Sequence, residues 1–473
     1  MRRLFIVFAF ILMAVECGGN KALSLGEKKA PSVVSSTIAE GEKAVPVKAS
    51  FVDIVFDLPV KVQNASAITM SGAELKISGM NLKVRIAYEV LEYAKTYTLH
   101  LPSEAVVSQN GNVPIKSFSL SFTTEPKPDS PPFNPGTPGN YSEEPVTENP
   151  LPNARRLYKY LLSIYGQKSL SGAMAKVAWN TAEADWVKKW TGKYPAIATF
   201  DYIHLKDSPS TWIDYSDISV VEAWFKSGGI VGACWHWNVP VSDGKGVKKY
   251  TFYSKETKFK VSNIFVEGTW EKKVADADLE KVASYIKLLQ DKNIPVLWRP
   301  LHEASGNTYT EYHSGAWFWW GNEGGEQYIK LWKYMFNFFK SKGINNLIWI
   351  WTTQTSSLSD ADYAFYPGDE FVDIVGRDIY DIGDTGNIAS QFSTIASMVP
   401  KKMVALSENG GVPDIKAQWE AGAKWLFFMP WYDYNNDGSL AYAHKYAGIG
   451  WWRPSLEFPS VINREDLPLD LYK

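Results

Sequence analysis

From residue 153 onward the chain repeats one pattern eight times, a short apolar run followed in most cases by a longer stretch with helical periodicity. The runs occupy 169–175, 196–202, 229–237, 295–301, 347–352, 372–379, 403–406 and 424–430, and the clearest helical stretches are 278–290 and 327–340. Strands that alternate with helices in this way pair in parallel through crossover connections. Eight such units over roughly 320 residues fit closure into a (β/α)8 TIM barrel, expected over 151–473. An open, doubly wound sheet is the alternative, but no glycine-rich phosphate loop follows the first run.

A chain of 473 residues is too long for one ordinary core, so further domains are expected upstream. Residues 31–124 read as a small all-β unit, with apolar or alternating runs at 51–56, 75–77, 82–86, 97–101 and 118–122. Turn formers such as Ser71-Gly72, Ser78-Gly79 and Asn110-Gly111-Asn112 separate them, which favours a β-sandwich. The stretches Tyr97-Thr98-Leu99 and Phe122-Thr123-Thr124 resemble bacterial immunoglobulin-like (Ig-like) modules, which act as spacers or binding platforms. Residues 125–150 carry Pro126, Pro128, Pro131, Pro132, Pro135, Pro138, Pro145 and Pro150 and read as a stiff, extended linker.

The first 17 residues read as a targeting signal. Arg2 and Arg3 precede an apolar stretch, 4–15, that is too short to span a membrane as a mature helix. Cys17 follows, then Gly18, Gly19, Asn20 and Lys21. The pattern resembles a bacterial lipoprotein signal in which Cys17 becomes the lipidated first residue, except that Glu16 stands where a small residue is usual. It implies a lipid anchor in the outer membrane, on the cell-surface or the periplasmic face, with ordinary secretion as the alternative. Without this segment Cys234 is the only cysteine, which leaves no intramolecular disulfide and reads as a small buried hydrophobe.

Net charge is -2 with no long basic run, so nothing points to nucleic acid. Aromatic residues are abundant, at 20 Trp, 25 Tyr and 23 Phe. Most can fill a core, but flat apolar rings with a polar edge also suit the faces of sugar rings. Active sites of barrels lie where the strands end. The fourth run ends in Trp298-Arg299-Pro300-Leu301-His302-Glu303 and the seventh in Leu406-Ser407-Glu408-Asn409. The third ends in Cys234-Trp235-His236-Trp237-Asn238, the sixth in Arg377-Asp378-Ile379-Tyr380-Asp381 and the eighth in Met429-Pro430-Trp431-Tyr432. Glu303 and Glu408 would face each other across the mouth. Glycosidic cleavage needs such a pair, one carboxylic acid to protonate the leaving oxygen and one carboxylate to attack or to activate water. Either glutamate alone could serve only a loop salt bridge, whereas the two together, with Arg299 and His302 beside one, point to catalysis. The residues themselves do not say which of the two attacks.

The Arg299-Pro300-x-His302-Glu303 block and the Trp317-Phe318-Trp319-Trp320-Gly321 block resemble glycoside hydrolase family 26 over most of 153–460. That resemblance implies a retaining endo-β-1,4-mannanase acting on β-mannan, with Glu303 as acid/base and Glu408 as nucleophile. It also implies that Tyr380 hydrogen-bonds the nucleophile and that His236 and His302 surround the reacting sugar. Trp317 would lie on the leaving-group side and Trp431 would form the floor. Trp237, Arg299, Trp320 and Asp378 complete the candidate substrate-binding set, and Asp201 and His204 are candidates further along the cleft. The implied protein needs no cofactor or metal and acts as a monomer. The family also contains mixed-linkage β-glucanases and β-xylanases, which share the carboxyl pair. A catalytically silent polysaccharide-binding lipoprotein is a reading of another class. A zinc enzyme is a poor fit, because His302-Glu303 lacks the second histidine of a zinc helix. The segment 307–316, with Tyr309, Tyr312 and His313, departs from the family pattern as an insertion beside the leaving-group side.

Overall fold

The computed structural model describes residues 29–472, apart from 48–49, 89–90, 93, 126–140, 177–178, 207–212, 244–248, 307–314, 355–361, 437 and 440–442. Cys17, the prolines from Pro126 to Pro138 and the inserted Tyr309, Tyr312 and His313 lie outside the described residues. The chain forms two compact units, Met1–Asp129 and Ser130–Lys473.

The first unit is a β-sandwich. One sheet orders Val33–Ser36, Ser50–Phe56, Lys83–Tyr88 and Leu75–Met80, and the other orders Glu42–Val45, Phe118–Thr124, Thr96–Leu101 and Thr69–Met70. Alternation builds the core: Val84, Ile86 and Tyr88 turn inward from one strand and Tyr97, Leu99 and Leu101 from another. On Ser50–Phe56 Asp53 is also buried, and it is held by Arg85 and Lys83 of the paired strand at 2.7 and 2.9 Å.

The second unit is a closed eight-stranded parallel barrel. Its strands are Ser169–Met174, Ile197–Asp201, Ile230–Trp235, Val296–Pro300, Leu347–Thr353, Ile374–Tyr380, Met403–Gly410 and Phe427–Pro430, and the eighth pairs back onto the first. The two-residue period sorts their side chains into two layers. Ile348 and Ile350 join Leu170, Ile230, Leu297 and Met403 in one cluster, which the helix Pro152–Ile164 covers through Leu157 and Leu161. Trp349 and Trp351 belong instead to the layer beneath the outer helices, where Phe336 lies 5.0 Å from Trp349 and Tyr366 lies 5.0 Å from Trp351. Those two tryptophans are packing residues.

Several boundaries differ from the sequence pattern, and Val146 and Thr147, expected in the linker, already bond Asp373 and Leu347 of the barrel at 2.8 and 2.7 Å. The helix expected over 278–290 runs from Trp270 to Asp291, because Thr269 caps it by accepting a bond from the Lys272 amide at 3.2 Å. The seventh strand continues to Gly410, so Glu408 lies within the strand rather than past its end.

Candidate active site

Glu408 owes its position to an irregularity. The pairing of the sixth and seventh strands shifts between Arg377 and Asp378, so Ser407 has no partner and Asp378 stands opposite Glu408. Ser407 donates its hydroxyl to Oδ1 of Asp378 at 2.6 Å. Only glycine fits beside it at position 376, where a Cβ would come within 2.2 Å of Ser407 Oγ.

Glu303 arrives by a different route. The fourth strand ends at Pro300, and both Leu301 (φ 50°) and Glu303 (φ 52°) then adopt left-handed backbone. Each such residue costs roughly 1–3 kcal/mol and persists only where its surroundings enforce it. Here three successive carbonyls are tied down. Leu301 O accepts from Tyr328 Oη at 3.0 Å, His302 O from Trp320 Nε1 at 2.8 Å and Glu303 O from the Gly306 amide at 2.9 Å.

The two routes converge. Glu303, Asp378 and Glu408 bring one carboxyl oxygen each within 4.8 Å of one another. Arg299 lies beneath them, bonded through Nη2 to Glu408 and through Nη1 to Asp378 at 3.2 Å. On its other oxygen Glu408 accepts from Tyr380 Oη at 2.7 Å. Burial raises the Glu303 pKa well above the usual carboxyl range, and the charges of Asp378 and Glu408 push it the same way. Burial, with the charge of Glu408 adding to it, brings Asp378 up to about 7. Burial alone would lower the Arg299 pKa, but the carboxylates of Glu408 and Asp378 more than offset it, so the guanidinium stays charged. His302, 3.9 Å from Glu408, is held well below its usual pKa by burial and by repulsion from His236 and Arg299, and is neutral. Burial and the neighbouring charges thus favour a proton on Glu303, as a general acid requires, while Arg299 and Tyr380 both bond Glu408.

His236 is fixed by Asp201, which accepts from its ring Nδ1 at 2.5 Å and from its amide at 3.1 Å. Burial would raise the Asp201 pKa, but His236 outweighs it and holds the carboxyl below its usual range. The bond leaves Nε2 of His236 as the ring nitrogen available to the cleft.

A cavity of about 480 Å³ is lined by His236, His302, Glu303, Trp317, Tyr380 and Glu408. A second, of about 410 Å³, is lined by Asp201, His204, Tyr253, Trp431, Tyr432 and Tyr434 and shares His236 and Phe318 with the first. Four of the residues expected to bind substrate, Trp237, Trp320, Arg299 and Asp378, line neither cavity. Trp237 and Trp320 are fully buried. Trp237 stacks on Trp235 at 4.2 Å and donates to Asp278 at 2.7 Å, while Trp320 braces the His302 carbonyl. Arg299 and Asp378 are buried too, and they act on the carboxyl pair rather than on a ligand. Sequence reasoning missed Gln354, the residue after the fifth strand, Phe252 and Tyr253 on a loop that no barrel strand end announces, and Tyr434, three residues beyond Trp431.

Among the described residues two clusters have the spacing of metal ligands, Asp201–Cys234–His236 and Glu303–Asp378–Glu408. In the second, the buried Arg299 charge opposes a cation, and in the first Asp201 is already bonded to His236.

Fold and site together define a class: closed (β/α)8 barrels with a carboxyl pair on the fourth and seventh strands. Within that class the chain belongs to glycosyl hydrolase family 26, whose profile matches residues 146–449. A bacterial Ig-like domain profile matches residues 27–124. A mannan endo-1,4-beta-mannosidase B from Piromyces sp is 34% identical over 345 residues, covering 68% of this chain and 54% of that protein. The GH26 domain of an endo-beta-mannanase/endo-beta-glucanase from Prevotella bryantii is 40% identical, with a TM-score of 0.63, over 70% of this chain and 100% of that one. A beta-mannanase from a symbiotic protist of the termite Reticulitermes speratus, solved with a gluco-manno-oligosaccharide, is 32% identical, with a TM-score of 0.58, over 70% of this chain and 99% of that one. The chain spans about half the length of the first curated relatives it matches, 54% and 51%.

Proposed function

We propose that the protein is a retaining endo-β-1,4-mannanase that hydrolyses β-mannan, galactomannan or glucomannan with Glu408 as nucleophile and Glu303 as acid/base. One observation carries the reading. Glu408 is fixed between Tyr380 and Arg299, and an oxygen of Glu303 lies within 4.8 Å of it. Retention needs carboxyl groups about 5–5.5 Å apart, whereas inversion needs about 6.5–9.5 Å to admit a water. Glu408 attacks the anomeric carbon as Glu303 protonates the departing oxygen, forming a covalent glycosyl-enzyme. Glu303 then takes a proton from water, which attacks the same carbon and releases Glu408. The raised pKa of Glu303 suits the first step and the charge of Arg299 holds Glu408 ready. The names of the relatives support mannan as the substrate class.

A panel of galactomannan, glucomannan, lichenan and xylan, with product sizes followed over time, tests the substrate. Mannans cleaved first to long oligomers are expected. Hydrolysis of lichenan or xylan with mannan left intact contradicts the reading.

We infer in addition that the chain is exported and held in the outer membrane by a lipid on Cys17, which the Arg2-Arg3 pair and the apolar stretch 4–15 support. Cys17→Ala is expected to move the protein from the membrane to the soluble fraction. Retention in the membrane contradicts the anchor.

A further inference from the structure

Glu183 and His444 form a buried pair that takes no part in the chemistry above. Their side chains are 3% and 0% exposed, and His444 Nε2 bonds to Glu183 Oε1 at 2.6 Å. The other ring nitrogen, Nδ1, accepts from the amides of Tyr446 and Ala447 at 3.1 and 2.9 Å. Because those amides can only donate, the ring proton sits on Nε2 and points at Glu183. The imidazole also stacks on Trp186, with ring centres 5.1 Å apart.

The pair ties two distant parts of the barrel. Glu183 and Trp186 belong to the helix Ala182–Thr191, which follows the first strand. His444 belongs to the loop that leaves the eighth strand, and Asp433 closes that loop by accepting from the amides of Asn435 and Lys445 at 3.0 and 2.9 Å. Two residues beyond His444, the Tyr446 ring covers Gly410, where a Cβ would come within 2.3 Å of it. The Tyr446 carbonyl accepts from the Gly411 amide at 3.1 Å. Gly410 is the last residue of the strand that carries Glu408. The same ring meets Tyr380 edge-on, with centres 5.7 Å apart. Buried ionisable pairs add little net stability over apolar packing of the same volume, but their directional bonds fix geometry.

We propose that Glu183 and His444 are positioning residues, a latch that seats Tyr446 against Gly410 and Tyr380 so that Tyr380 keeps its hydrogen bond to Glu408. The inference rests on the reading of Glu408 as nucleophile. A double-mutant cycle tests it. Glu183→Ala and His444→Asn are made in the wild-type and the Tyr380→Phe backgrounds, and galactomannan hydrolysis is measured under steady-state conditions with near-ultraviolet circular dichroism as a check on folding. In the wild-type background each is expected to lower kcat about tenfold or more with KM within about twofold. In the Tyr380→Phe background the same changes are expected to cost less than about twofold, because the bond they protect is already gone. Glu183→Gln keeps an acceptor for His444 and is expected to restore kcat to within about threefold of wild type.

Equal losses in both backgrounds, a change in KM alone, or no loss at all overturns the latch. Should Glu183→Ala fail to fold, His444→Asn carries the same comparison, since its Oδ1 still accepts from the two amides. Glu408→Ala, measured alongside, separates the two readings. Full activity in that variant removes the nucleophile assignment, whereas an inactive Glu408→Ala with an additive cycle removes the latch alone.

Discussion

Tyr380 and Glu408 meet in a 2.7 Å hydrogen bond across two adjacent strands, and Arg299 bonds the other oxygen of the same carboxylate. Glu408 is thus held from both sides. Tyr380→Phe leaves Arg299 as its only strong partner among the described residues, free to draw the carboxylate off its line of attack. Removing one preorganised donor from an oxyanion hole costs roughly 10²–10³ in kcat, and a loss of the same order is expected here. The expected outcome is a fall of about 100-fold in kcat with KM near wild type, read from steady-state kinetics on galactomannan.

The pH profile follows from the carboxyl cluster. Glu303 must carry a proton to act as acid, and its pKa is raised by burial and by Asp378 and Glu408. Activity is therefore present below that raised pKa and lost as pH rises through it. Asp378→Asn removes one of the charges that oppose ionisation of Glu303, so the alkaline limb of kcat/KM is expected to move to lower pH. Because the groups titrate together, the limb belongs to the cluster rather than to one residue. An unmoved limb, or one displaced upward, contradicts the assignment.

Trp237 distinguishes packing from binding. Its indole N–H bonds to the buried Asp278 carboxylate at 2.7 Å and its ring stacks on Trp235. Trp237→Phe leaves Asp278 short of a donor, at a cost of about 1–3 kcal/mol. A lower thermal midpoint with KM within about twofold is expected. A large rise in KM with an unchanged midpoint would return Trp237 to the substrate-binding set.

The barrel was legible because strands buried on both sides read as uninterrupted apolar runs, and all eight fall where those runs lie. The carboxyl pair was legible because both glutamates stand at the carboxyl end of a strand. Trp237 was misread because a tryptophan near a strand end looks the same whether its ring faces the cleft or the shell behind it, and Trp320, in the short helix Trp319–Gly321, because an aromatic block does not show which of its rings face the cleft. Direction is set by packing, which sequence spacing does not carry. The left-handed backbone at Leu301 and Glu303 was hidden for the same reason, since neither is glycine and the bonds that enforce it come from Tyr328 and Trp320 further along the chain.

The Ig-like unit makes an independent prediction. The Asp53 pKa is lowered to about 2 by its hydrogen bond to Arg85, against the effect of burial and with help from Lys83. A depressed carboxyl pKa contributes stability that is present above the unfolded value of about 3.9 and is lost as pH falls through the folded one. Asp53→Asn is expected to weaken the unit at neutral pH and to flatten its acid unfolding between about pH 4 and 2. An unchanged acid transition contradicts the role given to the pair.

The nucleophile itself is tested most directly by trapping it. A 2-deoxy-2-fluoro-mannosyl fluoride slows the second step, so the covalent intermediate accumulates and can be located by peptide mass mapping. The expected result is one added fluoromannosyl group, on the peptide that contains Glu408. A label on Glu303 or elsewhere, or turnover of the reagent with no label on the protein, contradicts a double displacement through Glu408.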